Sequence, residues 1–128
     1  MENILVIDDD ESIRKTLLNY LKRLGYSTLS AEDGLIGYEL ILKHQPDLII
    51  SDIRMPHLTG LELLKKLKDL EIAAKVIIIT AHDEMQTTID AMQNGAYDYL
   101  EKPLDIDRLK VTIERALESK MLSERIDS

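Results

Sequence analysis

The chain has 128 residues, with 24 acidic against 16 basic, a formal net charge of −8, and no cysteine. That length fits one domain and leaves no room for a second of ordinary size. The charge balance speaks against a nucleic-acid backbone as partner, and the lack of thiols excludes disulfides and thiolate metal sites while fitting a reducing compartment. The start, Met1-Glu2-Asn3, runs directly into a short apolar segment. It offers neither a basic leader nor a stretch long enough to span a bilayer. The expectation is a cytoplasmic domain with no membrane partner.

In chain order, the first strand is expected at Ile4-Leu5-Val6-Ile7. Ile13, Leu17, Leu18, Leu21 and Leu24 then share one helical face, and Gly25 follows as a C-terminal cap. A weaker strand spans 26–31. A second helix covers Leu35 to Leu42 and is closed by Pro46. Leu48-Ile49-Ile50 is the third strand. Leu61, Leu64 and Leu67 mark a third helix, whose Lys65, Lys66 and Lys68 are flanked by Glu62, Asp69 and Glu71. Those lysines read as a solvated mixed-charge face, not a stripe for direct nucleic-acid binding. Val76-Ile77-Ile78-Ile79 is the fourth strand. Met85, Ile89 and Met92 define the apolar side of a fourth helix ended by Asn94-Gly95, and a weak fifth strand spans 97–100. Ile106, Leu109, Ile113, Ala116 and Leu117 mark the fifth helix, with Asp105 as N-cap. The unbroken β-branched runs suit strands buried on both faces. Strand and helix alternate five times, so the fold class is α/β: a doubly wound (βα)5 three-layer sandwich. The flavodoxin-like strand order 2-1-3-4-5 is the common solution at this size, with its crevice between strands 1 and 3.

Ligands of such folds bind at the carboxyl ends of the strands. Strand 1 ends in Asp8-Asp9-Asp10, strand 3 in Ser51-Asp52, strand 4 in Thr80-Ala81 and strand 5 in Glu101-Lys102-Pro103. Singly these are ordinary: Asp10 reads as a helix N-cap, Thr80 as a strand terminus, Lys102 as a surface lysine before a proline. Their coincidence on one rim is what points to chemistry. Like charges on Asp8, Asp9 and Asp52 repel, and a hard divalent ion such as Mg²⁺ relieves that repulsion. A bound cation with Lys102 and Thr80 then makes a phosphoryl group acceptable among carboxylates, and a carboxylate held in line can act as nucleophile.

The segments Val6-Ile7-Asp8-Asp9-Asp10, Ser51-Asp52-Ile53-Arg54-Met55-Pro56, Thr80-Ala81 and Lys102-Pro103, in this order and register, resemble the signature segments of bacterial response-regulator receiver domains. The resemblance runs from about Asn3 to Leu117. It implies a receiver domain over 1–118, followed over 119–128 by the start of a linker helix or a C-terminal tail. It implies Asp52 as phosphoacceptor, Asp9 as direct Mg²⁺ ligand, Asp8 as ligand through water, and the Arg54 carbonyl as a further ligand. Lys102 and Thr80 serve the phosphoryl oxygens, Thr80 and Tyr99 act as switch residues, and Arg54 and His82 tune the rates. The Lys102–Pro103 peptide is expected to be cis. The implied function is a phospho-accepting switch and not an enzyme acting on other substrates. A sensor histidine kinase is the donor, and a surface of the fourth helix, fifth strand and fifth helix is the output or homodimer face. The segment 51–60 resembles the nitrogen-regulation (sigma-54 activator) type, in which ATPase and DNA-binding output domains follow and transcription is regulated. The residue after Lys102-Pro103, often Phe in the family, is Leu104 here.

Three rivals remain at this stage. An aspartyl-phosphate phosphatase wants an acid two residues after its nucleophile, where this chain has Arg54. A flavin or dinucleotide module wants glycines after strand 1, where three acids stand. A phosphorylation-independent interaction module of the same fold has no need of the complete acid, threonine and lysine set.

Overall fold

The computed structural model describes the backbone of residues 2–127 and the side chains of residues 2–123, so residue 128 of the expected tail lies outside the described residues. The elements are β1 Asn3–Ile7, α1 Glu11–Arg23, β2 Ser27–Ala31, α2 Gly34–His44, β3 Leu48–Asp52, α3 Gly60–Asp69, β4 Lys75–Thr80, a 3₁₀ turn His82–Glu84, α4 Met85–Gln93, β5 Asp98–Glu101 and α5 Ile106–Asp127. All strand pairs are parallel, in the order β2-β1-β3-β4-β5. This is the flavodoxin-like sheet expected from the pattern. Among the described residues, no helix is long and apolar enough to cross a membrane.

The period of two in the central strands divides the core. Leu5, Ile7, Ile49 and Ile78 enter the cluster that includes Ile41 of α2, Leu63, Leu64 and Leu67 of α3 and Ala91 of α4. Ile4, Val6, Leu48, Ile50, Ile77 and Ile79 enter the other, with Leu17 and Leu21 of α1 and Leu109, Ile113 and Ala116 of α5. Successive side chains point to opposite faces, so an uninterrupted apolar run serves both layers at once.

Local signals set the helix ends. Asp10 accepts from the amides of Ser12 (2.9 Å) and Ile13 (3.2 Å), and Asp105 from Asp107 (3.0 Å) and Arg108 (3.3 Å). Thr59 and Glu62 form a reciprocal capping box on α3. Three helices end in Schellman motifs with a left-handed residue at Gly25, Glu71 and Gly95. In the first, Tyr26 N–H donates to the Leu21 carbonyl (3.1 Å) and Gly25 N–H to that of Lys22 (3.0 Å). The second edge strand therefore begins at Ser27, one residue later than expected, because Tyr26 is consumed by the turn.

One expected face is corrected. Met85, Ile89 and Met92 do not form the buried side of α4: Ile89 is 46% exposed and Met92 36%. The inward line is Glu84, Thr88 and Ala91. Ile106 of α5 is also exposed, at 39%. Lys65, Lys66 and Lys68 are exposed, as the mixed-charge reading held, and Lys66 lies over the Tyr38 ring at 5.4 Å. α5 passes residue 118 without a break.

Candidate functional site

The pairing of β1 with β3 and of β3 with β4 brings three strand ends to one rim. There Asp8, Asp9 and Asp52 each offer a carboxylate oxygen, all lying within 4.8 Å of one another. Asp8 and Asp52 are buried and Asp9 is exposed. The third strand closes on itself just beyond: Gly60 N–H donates to the Ile53 carbonyl (3.1 Å), and a Cβ on Gly60 would meet the Asp52 and Ile53 backbone at 3.0 and 3.1 Å. The β3–α3 loop thus folds tightly under the acid.

Asp8 Oδ1 accepts from the Asp10 amide at 2.9 Å, while Oδ2 is buried with no partner. Burial pushes this carboxyl up from 3.8 to about 6; the Asp10 amide opposes the rise, Asp52 adds to it, Lys102 opposes it, and Asp9 adds to it again. Asp52 is raised as well, chiefly by burial and against the pull of Lys102. Its Oδ2 pairs with Lys102 Nζ at 3.2 Å, and its Oδ1 takes a long bond from the Arg54 amide at 3.4 Å. For Lys102 burial works against the charge, but Asp52 and Asp8 outweigh it and the ammonium is held above its usual value. Lys102 is itself positioned by its amide, which donates to the Thr80 carbonyl (2.8 Å), and by a cis peptide to Pro103. The donor set fits a hard cation: three carboxylates converge, and a buried oxygen among them lacks any partner. An uncompensated buried carboxylate is costly, and a cation there removes the cost.

Thr80 stands at the end of β4, fully buried, but its hydroxyl faces Thr88 of α4 at 2.8 Å and the Ala81 carbonyl at 3.3 Å. Tyr99 pairs in register with Ile78 and is half-buried at the margin of the α2–α3–α4 core cluster. His82 is 92% exposed on the rim, with Nδ1 3.6 Å from Glu101. The strand-end acids, Lys102 and Thr80 therefore share one rim, whereas His82 and Tyr99 lie at its periphery.

Sequence reasoning missed Glu84, a buried acid beside this rim. Its Oε1 accepts from the Ala81 amide (3.0 Å), and Oε2 forms an ion pair with Arg54 Nε (2.8 Å) that lacks a directed hydrogen bond. Its charge also helps raise the Asp52 carboxyl. An acid three residues past Ala81 reads as an ordinary first-turn glutamate, so only its burial reveals it. Arg14 was missed too; its guanidinium donates to the Asp8 carbonyl at 2.7 Å.

The family of response regulator receiver domains matches residues 4–114. The DNA-binding transcriptional regulator NtrC of Escherichia coli is 42% identical over 114 residues, covering 89% of this chain and 24% of that protein. A receiver domain from Clostridium thermocellum superposes with a TM-score of 0.90 at 32% identity, covering 95% of this chain and 98% of that one. NtrX from Brucella abortus does so with a TM-score of 0.91 at 35% identity, over 99% of this chain and 29% of that one. The chain spans about a quarter of the length of the curated relatives it matches. Sheet order, strand-end acids and this match agree, and the chain belongs to the response regulator receiver domains.

Proposed function

We propose that Asp52 accepts a phosphoryl group from the phosphohistidine of a sensor kinase and that this charge change works a conformational switch. The observation that carries the reading is the convergence of Asp8, Asp9 and Asp52, with a partnerless buried Asp8 oxygen on one side and Lys102 on the other. Asp9, Asp52 and the Arg54 carbonyl would hold Mg²⁺ directly and Asp8 through water, and the ion would supply positive charge that neutralises carboxylate and phosphoryl oxygens together. In the transfer an Asp52 oxygen forms the new O–P bond as the donor's N–P bond breaks. Lys102, already on Asp52, stays close to the phosphoryl oxygens. Thr80 swings its hydroxyl toward one of them, and Tyr99 follows inward. Positioning and electrostatics supply most of the rate, as they do in phosphoryl transfer generally. The domain thus promotes its own phosphorylation and dephosphorylation and is not an enzyme for other substrates; Arg54 and His82 tune the rates.

The output is a change in the α4–β5–α5 face, where Ile89 and Met92 of α4 and Val111 of α5 are exposed. That face serves a homodimer or an ATPase and DNA-binding output module joined through the continuation of α5, with regulation of transcription in the cytoplasm as the result. A covalent charge change biasing two conformations is the general form of such a device. Intact-mass spectrometry after acetyl phosphate and Mg²⁺ tests the core of this reading. One added phosphoryl group is expected in the wild type and none in Asp52→Ala. Equal uptake by both proteins, or none by either, overturns it.

A further inference from the structure

We infer that Thr88 of α4 is a positioning residue that holds the Thr80 hydroxyl away from Asp52 and thereby sets how readily the switch turns on. The inference rests on the reading above, in which Thr80 must reach the phosphoryl group. Thr88 Oγ1 lies 2.8 Å from Thr80 Oγ1 and 2.9 Å from the Glu84 carbonyl oxygen. Both threonines are sealed from solvent, at 1% and 0% exposure. A hydroxyl has one hydrogen and two lone pairs. On a helix the threonine hydrogen can go to the carbonyl four residues back, which here is Glu84. Thr88 Oγ1 is placed to donate to Thr80 Oγ1 or to the Glu84 carbonyl, and whenever its hydrogen goes to Glu84 it accepts that of Thr80.

The only other acceptor near the Thr80 hydroxyl among the described residues is the Ala81 carbonyl at 3.3 Å. The hydroxyl that an aspartyl phosphate needs is therefore already engaged, with α4. The rotation of α4 makes the arrangement specific. Ile89 and Met92 face solvent while Thr88 is turned inward, so the helix gives up apolar burial to put a hydroxyl beside Thr80. Glu84 keeps that turn in place: its carboxylate is tied to the Ala81 amide and to Arg54 of the neighbouring loop.

Releasing Thr80 costs about one neutral hydrogen bond, which corresponds to roughly three- to tenfold in an equilibrium constant. A ligand that selects the switched state gains the same factor when the hold is removed. Titration calorimetry with beryllofluoride and saturating Mg²⁺ reads this directly. Thr88→Val and Thr88→Ala are expected to bind beryllofluoride roughly three- to tenfold more tightly than wild type. Thr88→Ser, which keeps the hydroxyl, is expected to bind as wild type does. In a Thr80→Val background, Thr88→Val is expected to change nothing further, an outcome that a merely structural role for Thr88 does not produce. Affinities of the folded Val or Ala variant equal to or weaker than wild type, or an equal gain in the Thr80→Val background, overturn the inference. Wild type that binds no beryllofluoride overturns the phosphoacceptor reading itself and is distinguishable from either result.

Discussion

At the carboxyl end of the sheet, Asp8 and Asp52 are buried with like charge and one Asp8 oxygen has no partner; at the amino end, a third strand-flanking acid, Asp47, is fully engaged. Asp47 accepts from the Asn3 amide at 2.8 Å and pairs with Lys120 of α5 at 3.3 Å. Its own amide donates to the Asn3 carbonyl (2.9 Å), and its carbonyl accepts from Lys75 (3.3 Å). Among the described residues, the one unpartnered buried side-chain polar atom at that end, Asn3 Oδ1, is neutral. The same residue type thus contributes stability at one end and costs stability at the other. Unpaired buried charge persists where something outside the chain is meant to compensate it.

The largest expected effect breaks this contrast by neutralising Asp8. The carboxyl lies near 6 in the folded protein against 3.8 for a free side chain, a rise worth about 3 kcal/mol at most. In metal-free buffer at pH 7.5, Asp8→Asn should therefore raise the unfolding free energy by about 2–3 kcal/mol, while losing the stabilisation that Mg²⁺ gives the wild type. That stabilisation is about 2.7 kcal/mol at a hundredfold excess over Kd. Urea melts of both proteins with EDTA and with Mg²⁺ check it, and a less stable Asp8→Asn would remove the claim that this acid is held at a cost.

The second prediction takes the same acid through pH. A folded-state value above the unfolded one means that the native protein binds more protons between the two, so stability falls as pH rises through that window. The penalty is absent below about 3.8 and complete above about 6. Asp52, also raised, adds to the fall in the same direction. Denaturation midpoints in EDTA should drop from pH 4 to pH 6.5 for wild type and drop less for Asp8→Asn. Mg²⁺ should flatten the wild-type curve.

The third prediction concerns the well-paired end. Asp47→Ala leaves the Asn3 amide without its acceptor and Lys120 without this partner. Discounted for partial exposure, the loss is about 1–2 kcal/mol, with the sign opposite to that of Asp8→Asn. Hydrogen exchange should quicken in α5 around Lys120 and stay unchanged at Asp52.

These two ends were not equally legible. The β1, β3 and β4 runs announce themselves because strands buried on both faces must be apolar throughout. The three polar residues at the ends of those runs, Asp8, Asp52 and Thr80, stand out for the same reason. α4 misled because its apolar residues have helical spacing, yet its rotation is set by what β4 presents and not by its own pattern. Thr80 at the end of that strand draws Thr88 inward, and Ile89 is left in solvent. Glu84 and Lys120 were hidden because a charged side chain on a helix looks exposed until a partner from a distant loop is known. Tyr26 and Tyr97 carry strand propensity but sit just outside their strands, half-buried against the α1–α5 layer.

The smallest expected effect sharpens the contrast by improving the end that already serves stability. Glu71 closes α3 in the left-handed region at φ 55°, where Gly25 and Gly95 close α1 and α4 at 94° and 103°. Its amide donates to the Lys68 carbonyl (3.1 Å), and Ile72 N–H to that of Leu67 (3.0 Å), so the motif is complete despite the side chain. A non-glycine residue here carries steric strain that glycine lacks, offset in part by the larger unfolded-state entropy of glycine. Glu71→Gly should therefore raise stability by about 0.5–1 kcal/mol, visible as an increased urea midpoint with an unchanged slope. Because the α3–β4 turn lies at the amino end of the sheet, Mg²⁺ affinity and phosphoryl uptake at Asp52 should not move. A change in either would mean that the two ends are coupled through α3 and that their division of labour is less complete than the pairing of their acids indicates.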